Sequence, residues 1–572
     1  MRTRPMGGIT FAHPPAFWTG FIACVAGVAL HLPMYIDSAD MHYHMRGMAM
    51  DAPMLTGMAL IVVGLALTAY GLVPRGLAAS RRDGEVRVRA AYDAPFRRAH
   101  IGLVIVMTTA VTIDAMKPIT LSFVAPGMGK EYGLKSALNP GGHWPVALLP
   151  LFGLTGTVAG SFLWGWLGDH IGRRSSILLA GVMFVTTAVC GAMPSFGWNL
   201  AMCLLMGLAA GGMLPITFSL LAEMIPGRHR GWVMVLIGGN LALAYAITSS
   251  LSSALVPHYS WRILWLLGMP TGVLLIALNH WIPESPRFLL AHGREDEARA
   301  IMTRYGAIED TAGERPGAET APVTAPVPAA EPGAGTPAAA GAAAVAEAVP
   351  AEERKEAAHG AGFTPLFRPP FAGLSAAVVV LGLGIGLVTY GFQLWIPSNL
   401  QKLGLAQKTA DAALRDSSLL GLPLVFIAAA MYGLWSAKKT IIVLTALTAA
   451  ALVAFSFSGE SLAHDRFWLY VLLAGPIVGT ATIAAVLAAY SSEIYPTRIR
   501  SRGSGLSAGV GKLGGVAVTI VLVVGATVPS INTTALLGAV PLLLAILVVA
   551  AFGVETRNRA ARVKVAAAPA DA

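Results

Sequence analysis

Residues 165–174 read GWLGDHIGRR. The stretch separates two long apolar runs, yet it carries three glycines, one carboxylate and two guanidinium groups. Gly165 and Gly172 allow two helix ends to come close. Asp169 suits pairing with an arginine or capping a neighbouring helix N-terminus. Arg173 and Arg174 hold such a loop at a membrane surface. This reading requires membrane helices on both sides, and the rest of the chain supplies them.

Of 572 residues, 55% are apolar and 12% charged, and the mean hydropathy is +0.66. A soluble domain carries about 25% charged residues, so the composition points to many membrane spans. The formal net charge is +10, but the basic residues lie in short loops between apolar runs. That arrangement suits a lipid surface and argues against nucleic acid. Cys24, Cys190 and Cys203 all fall within apolar runs, which excludes a disulfide framework. No small-residue cleavage site follows the first run, so it reads as a retained helix.

A crossing helix needs roughly 20 apolar residues. Fourteen such runs occur, at about 15–36, 53–73, 100–126, 144–167, 176–194, 197–223, 232–256, 262–282, 372–399, 417–435, 439–457, 466–490, 504–528 and 533–553. The expected fold is an all-α membrane protein, two six-helix bundles plus two additional N-terminal transmembrane helices. Residues 1–75 form the extra hairpin, with a Met- and His-rich outer loop. A basic linker follows at 76–99, then the first bundle at 100–290. Residues 291–371 form a cytoplasmic segment, 372–557 the second bundle and 558–572 a tail. Within 307–361 the chain is mostly Ala, Pro, Gly and Glu. Such a segment buries too little apolar surface to fold and reads as a disordered linker. The stretch before it, 284–306, predicts a short surface helix. The arginine-rich loops predict a plasma (inner) membrane protein with both termini and the linker in the cytoplasm. Residues 37–52, 127–143 and 257–261 then face outward.

Glu223-Met-Ile-Pro-Gly-Arg-His-Arg230 follows the fourth helix of the first six. Glu493-Ile-Tyr-Pro-Thr-Arg-Ile-Arg500 follows the fourth helix of the second six. One pattern at equivalent points of two halves marks an internal repeat. Pro283-Glu-Ser-Pro-Arg287 ends the sixth helix, and Phe552-Gly-Val-Glu-Thr-Arg557 ends the last as a weaker echo.

GWLGDHIGRR resembles the signature loop of the major facilitator superfamily. The sequence PESPRFLL at 283–290, the two Glu…Pro…Arg loops and Trp261-Arg262 resemble its sugar-porter and organic-ion branches. The resemblance spans about 100–557 and implies a secondary transporter that works by alternating access, with its site near the midplane between the halves. It also implies a cytoplasmic gate of ion pairs that hold one state and break in the other. Carried over, the gate comprises Gly165, Asp169, Gly172, Arg173, Arg174, Glu223, Arg230, Glu284, Arg287, Glu493 and Arg500. The chain departs from the family in three places. The second signature loop is reduced to Ser436-Ala-Lys-Lys439, Cys203 stands where an arginine is usual, and the paired glutamines of sugar sites are missing from Tyr390-Gly-Phe-Gln-Leu-Trp-Ile-Pro397. The last departure favours an organic or aromatic acid over a sugar.

Residues 111–120, VTIDAMKPIT, place two charges inside an apolar run. Asp114 lies about 20 Å along its helix, past the middle of the bilayer core. A charge there is a functional-site hypothesis by default. Lys117, at i+3, shares its face, and Pro118 suits a local bend. The expectation is that Asp114 carries a coupling proton and Lys117 attracts an anionic substrate group. Asn240, Tyr390, Gln393 and Trp395 are further expected substrate contacts, and Lys512 is a weaker candidate. The alternative is a fixed ion pair that only orders the bundle.

The outer loop of the first hairpin holds His42, His44, Met45, Met48 and Met50. Thioether and imidazole select Cu(I), so a copper-capturing lip competes with plain packing, for which methionine is an adaptable filler. Three functions therefore compete: a proton-coupled transporter of a small organic solute, a copper or other metal-ion transporter, and a membrane sensor that has lost transport. No nucleophile–base spacing, resident metal-ligand set or phosphate loop appears, so neither an enzyme nor a cofactor is expected. The expected partners are the solute, protons and the lipid bilayer, with the chain acting as a monomer.

Overall fold

Among the described residues, fourteen helices are long and apolar enough to cross a membrane. They are α1 (Pro14–Met41), α2 (Ala52–Leu72), α3 (Arg98–Tyr132), α4 (Leu148–Gly168), α5 (Arg173–Ala192), α6 (Phe196–Met224), α7 (Gly227–Tyr259) and α8 (Ile263–Trp281), then α9 (Ala372–Lys402), α10 (Gln407–Leu434), α11 (Ala437–Ser458), α12 (Arg466–Ile494), α13 (Arg502–Gly525) and α14 (Ile531–Phe552). The computed structural model describes residues 5–6, 9–73, 87–90, 94–310, 364–458, 461, 465–495, 500–525 and 530–556. Helices α3–α8 and α9–α14 form two six-helix bundles, and α1–α2 add a hairpin. The bundles meet where α4 packs on α13 and where α7 packs on α10 and α12.

The hairpin is held by a stripe of small residues. Gly20 and Gly27 of α1 face Gly57, Gly64 and Gly71 of α2, all seven residues apart. A Cβ on Gly27 would meet the Gly57 carbonyl oxygen at 2.6 Å, and one on Gly64 would meet that of Gly20 at 2.7 Å. Backbones this close gain dispersion that lipid cannot match. The hairpin then lies against α5. Val28, Met34, Met45 and Met54 pack with Val185, Ala188 and Val189. The methionines of this region thus fill gaps between helices.

A feature not anticipated from the sequence ties the two ends of the first bundle together. Residues Arg87–Ala90 pair antiparallel with Ala307–Asp310, Arg87 opposite Asp310. The basic linker therefore contains a strand, and the linker after the first bundle starts four residues later than expected. The cause is legible: Glu85-Val-Arg-Val-Arg-Ala90 alternates with period two, a strand signal. The rest of that linker, 311–363, and the tail 558–572 lie outside the described residues. The expected surface helix is two helices, Pro286–Ala291 and Glu295–Tyr305.

Two of the spans change pitch at similar depth. Val388–Phe392 in α9 and Gly475–Gly479 in α12 each form a single π turn. In α12 the turn contains Pro476, which has no N–H to give to the α ladder. Such turns often mark functional positions in helices.

Candidate functional site

The signature loop is organised by Glu284, not by the glycine pair as a unit. Gly172 has φ +93° and ψ 155°, a conformation essentially reserved for glycine. This turn aims the first amides of α5 at Glu284. Glu284 Oε1 accepts from Arg173 N at 2.8 Å, Arg174 N at 3.3 Å and Ser285 N at 2.9 Å. A carboxylate at a helix N-terminus satisfies otherwise unpaired donors and the helix dipole. Burial pushes the Glu284 carboxyl above its usual range, while the amides of Ser285, Arg174 and Arg173 oppose that shift. Arg173 pairs with Glu223 at 2.7 Å, and Ser285 Oγ donates to the other Glu223 oxygen at 2.6 Å. Arg174 donates to the carbonyls of Asn279 and His280. Arg287 is exposed but acts on Glu223 through its charge. Arg230 donates to Ile225 O.

Four residues expected at the gate stand apart from this cluster. Gly165 makes no close approach: a Cβ there would meet nothing within 4 Å, because the residue lies on an exposed face of α4. The side chains of Asp169 and Arg500 lie outside the described residues. Glu493 is described, and it sits across the seam of the bundles, its Oε1 2.9 Å from where a Cβ on Gly231 would be.

The different constraints on the two glycines give a test. Gly172→Ala is expected to destabilise by about 1–3 kcal/mol, since a side chain must adopt a strained φ. It must also displace Glu284 Oε2, 2.5 Å from the new Cβ. Gly165→Ala is the control and should leave the melting midpoint in detergent within error. Equal midpoints for the two variants would refute this account.

The second half repeats the arrangement with different groups. Ser436, in the reduced second loop, donates to Glu555, the carboxylate of the terminal echo. Tyr490 OH donates to Val554 O and accepts from Val554 N, each at 2.7 Å. The loop has lost its Gly–Asp–Gly core but has kept an acid from the end of the bundle's last helix. Glu555 therefore stands in the second bundle as Glu284 stands in the first.

Near mid-span, Asp114 and Lys117 part company, although they are three residues apart on α3. Lys117 is 4% exposed and turns into the first bundle. Its Nζ donates to Thr187 Oγ1 at 3.2 Å and Phe184 O at 3.4 Å, 5.7 Å from the Phe184 ring centre. Asp114 is 5% exposed, and its Oδ1 has no hydrogen-bond partner. The charge that acts on it is Lys512 of α13, from the other bundle. Lys512 spans the seam: it donates to Ser161 Oγ on α4 and to Gly211 O on α6 at 3.4 Å. The expected ion pair within one helix is thus replaced by an acid and a base on opposite bundles. The i, i+3 rule fails because long side chains on one helix can take different partners.

The remaining candidates divide in the same way. Tyr390 lies over Gly515 of α13, three residues from Lys512. Asn240 donates to Thr112 Oγ1 and to Thr108 O at 3.4 Å, which ties α7 to α3 just below Asp114. Gln393 is spent inside the second bundle. It donates to Thr480 Oγ1 at 2.6 Å and to Pro476 O, joining the two π turns. Trp395 is 1% exposed, and its Nε1 donates to Tyr390 O at 3.1 Å.

At the opposite end of the first bundle stands a network that the sequence reading missed. Arg262 Nη2 pairs with Glu131 Oε1 at 2.6 Å, their side chains 0% and 3% exposed. Trp261 Nε1 donates to Glu131 Oε2 at 2.8 Å, and the Met45 amide donates to Oε1 at 3.0 Å. Arg262 also donates to Tyr132 OH at 3.0 Å and to Met193 O at 2.9 Å. The extra hairpin is thereby docked on α3 and α8 through the backbone of its own outer loop. Met45 is fully buried by this docking, while His42 and His44 are exposed and Met48 and Met50 half-buried. Among the described residues no three His, Cys, Asp or Glu side chains gather as a metal-ligand set. The Met/His loop is thus held by packing and by the Glu131 network.

Comparison with known proteins agrees with this architecture. Residues 146–319 match the family described as sugar (and other) transporter. The niacin transporter NiaP of Acinetobacter baylyi is 26% identical over 433 residues, covering 75% of this chain and 88% of that protein. The organic cation/carnitine transporter 7 of Arabidopsis thaliana is 26% identical over 424 residues, covering 72% of this chain and 82% of that protein. The xylose transporter XylE from E. coli, in a partially occluded inward open conformation, shares the fold with a TM-score of 0.58 at 15% identity, over 80% of this chain and 98% of that one. With its signature loop closed on Glu284 and its two related six-helix halves, the chain has the fold of major facilitator superfamily transporters, and residues 146–319 carry the match to the sugar (and other) transporter family.

Proposed function

We propose that this transporter moves a small aromatic carboxylate of nicotinate's kind together with protons. Asp114 carries the proton, and Lys512, in place of Lys117, attracts the anionic group. The observation that carries this reading is the buried Asp114 with one oxygen unpartnered, under the charge of a lysine from the other bundle. A buried charge with so little compensation is costly unless transport uses it. Tyr390, lying over Gly515 near Lys512, offers a face for an aromatic ring. The niacin transporter NiaP supports this substrate class, and Gln393, committed to helix packing, leaves little for a sugar. The arginine-rich loops support an orientation in the plasma membrane with the signature-loop end, both termini and the central linker in the cytoplasm.

The test is uptake into proteoliposomes under an imposed pH gradient, with labelled nicotinate, xylose, carnitine and Cu(I) as probes. Nicotinate should accumulate when the interior is alkaline and should be released by a protonophore. Accumulation of carnitine with no movement of nicotinate would overturn the anion reading in favour of an organic cation, which the second relative and the buried carboxylates would then explain.

A further inference from the structure

A second buried carboxylate lies on the seam, far from Asp114 in sequence. Asp411, in the first turn and a half of α10, is 0% exposed. Ser252 of α7, also 0% exposed, donates to its Oδ2 at 2.6 Å. Its Oδ1 has no hydrogen-bond partner, and among the described residues no salt bridge reaches it. The two residues belong to different bundles, so this single hydrogen bond crosses the surface along which alternating access must separate them. It lies toward the end of α7 that is remote from the signature loop, since α7 starts at Gly227 and ends at Tyr259.

The surroundings offer no counter-ion. Toward the end remote from the signature loop, the charged and titratable groups on the packed elements are Tyr245, His258 and Tyr259 on α7, Lys402 on α9, Arg466 and Tyr470 on α12, and Lys408, Arg415 and Asp416 on α10; Tyr390 of α9 lies nearer mid-span, and Arg228, His229 and Arg230 of α7, Tyr432 of α10 and Tyr490 and Glu493 of α12 lie toward the other end. Arg415 is taken by Asp416 at 2.7 Å. Tyr245, whose hydroxyl donates to Gln393 O at 3.4 Å, is the one that senses the charge of Asp411. An ionised carboxylate sealed here with one hydroxyl donor carries a large desolvation cost, whereas a protonated one carries little.

We propose that Asp411 is a second proton-binding residue of the transport cycle, whose charge decides whether the α7–α10 seam is closed or open. Protonated, it stays in the dry clasp with Ser252. Ionised, it draws water in, and the seam parts. The proton comes from that water and returns to it, and only the O–H bond is made and broken. The inference rests on alternating access between the two bundles but not on Asp114 as the other carrier.

The test is thiol labelling of the full-length transporter in detergent with a water-soluble methanethiosulfonate. Ser249→Cys places a thiol about one turn from Ser252 on the same face of α7. Cys24, Cys190 and Cys203 are all buried, and the unsubstituted protein supplies the background rate. Labelling of Ser249→Cys, divided at each pH by the rate for free cysteine so that thiol ionisation cancels, should be at least about tenfold faster near pH 8.5 than near pH 5.5, a modest shift between two states. Adding Asp411→Asn should make it slow and flat across that range, adding Asp411→Glu should restore the dependence, and adding Asp114→Asn should leave it intact. Nicotinate need not be the substrate for this readout. Were the pH dependence absent with Asp411 in place, or undiminished in Asp411→Asn, the proposal would be wrong. If Asp411→Asn does not fold, Ser252→Ala provides the second variant. It removes the clasp's one donor and so weakens the closed, protonated state, which should move the labelling midpoint to lower pH, and an unmoved midpoint would equally overturn the proposal.

Discussion

Arg262→Gln is expected to destabilise the transporter by about 3–5 kcal/mol, the usual cost of removing one partner of a buried pair. Glu131 and Arg262 are almost wholly shielded, and three helices meet through them. Loss of the guanidinium leaves the Glu131 carboxylate buried with the Trp261 and Met45 donors, neither of which is charged. It also strands the carbonyl of Gly191, while that of Met193 keeps the Tyr132 hydroxyl at 2.9 Å. The control is Arg299→Gln. Arg299 pairs with Glu295 at 3.2 Å, but the side chains are 72% and 56% exposed. Exposed pairs of this kind contribute about 0–1 kcal/mol. Melting midpoints in detergent should separate the two variants clearly, and similar midpoints would sink the account. The double variant Glu131→Gln/Arg262→Gln should recover part of the loss, because no unpaired charge then remains.

Glu131→Ala adds a readout that general instability would not mimic. It removes the acceptor of the Met45 amide, so the outer loop of the hairpin should lift from the first bundle. Arg46, exposed beside Met45, offers trypsin a site. Cleavage after Arg46 should therefore quicken more in Glu131→Ala than in Arg262→Gln at matched fractions folded. The hairpin is thus more than an appendage: it closes the end of the first bundle remote from the signature loop through its own backbone.

Reading membrane helices from composition succeeds here because lipid leaves few options. An apolar run of crossing length must be a helix, and fourteen of them in a two, six, six order restrict the fold severely. The signature loop was equally legible, since Gly172, Arg173 and Arg174 act within one local turn; Glu284, 110 residues from Arg174, was reached only through the family resemblance. Partner choice at mid-span was not. Sequence spacing put Lys117 beside Asp114, but spacing on one helix says nothing of the hydroxyl of Thr187 or of Lys512 on another. Glu131 and Asp411 were overlooked for a related reason. Each sits near a helix end, where a charge normally signals solvent, and only packing reveals that they are sealed. The glycines of α1 and α2 were a missed signal, because their seven-residue spacing is present in the sequence and predicts a close helix pair. The Val–Arg alternation ahead of the first bundle was another.

Asp114→Asn should abolish accumulation while sparing exchange. For one proton per solute, a gradient of two pH units is worth about 2.7 kcal/mol, or about 100-fold in concentration. A neutral amide cannot carry that proton, so the ratio of labelled nicotinate inside to outside should fall to about one. Counterflow, in which unlabelled nicotinate inside exchanges for label outside, needs only the moving site and should persist. Lys512→Gln makes the complementary prediction. It removes the cation that faces Asp114 across the seam, so the half-saturating concentration of nicotinate should rise about tenfold or more, as for loss of a charged hydrogen bond. Lys117→Gln should leave that concentration nearly unchanged, since Lys117 is tied to Phe184 and Thr187 within the first bundle. Accumulation that survives in Asp114→Asn, or a larger loss of affinity in Lys117→Gln than in Lys512→Gln, would show that the acid–base couple across the bundles does not drive transport.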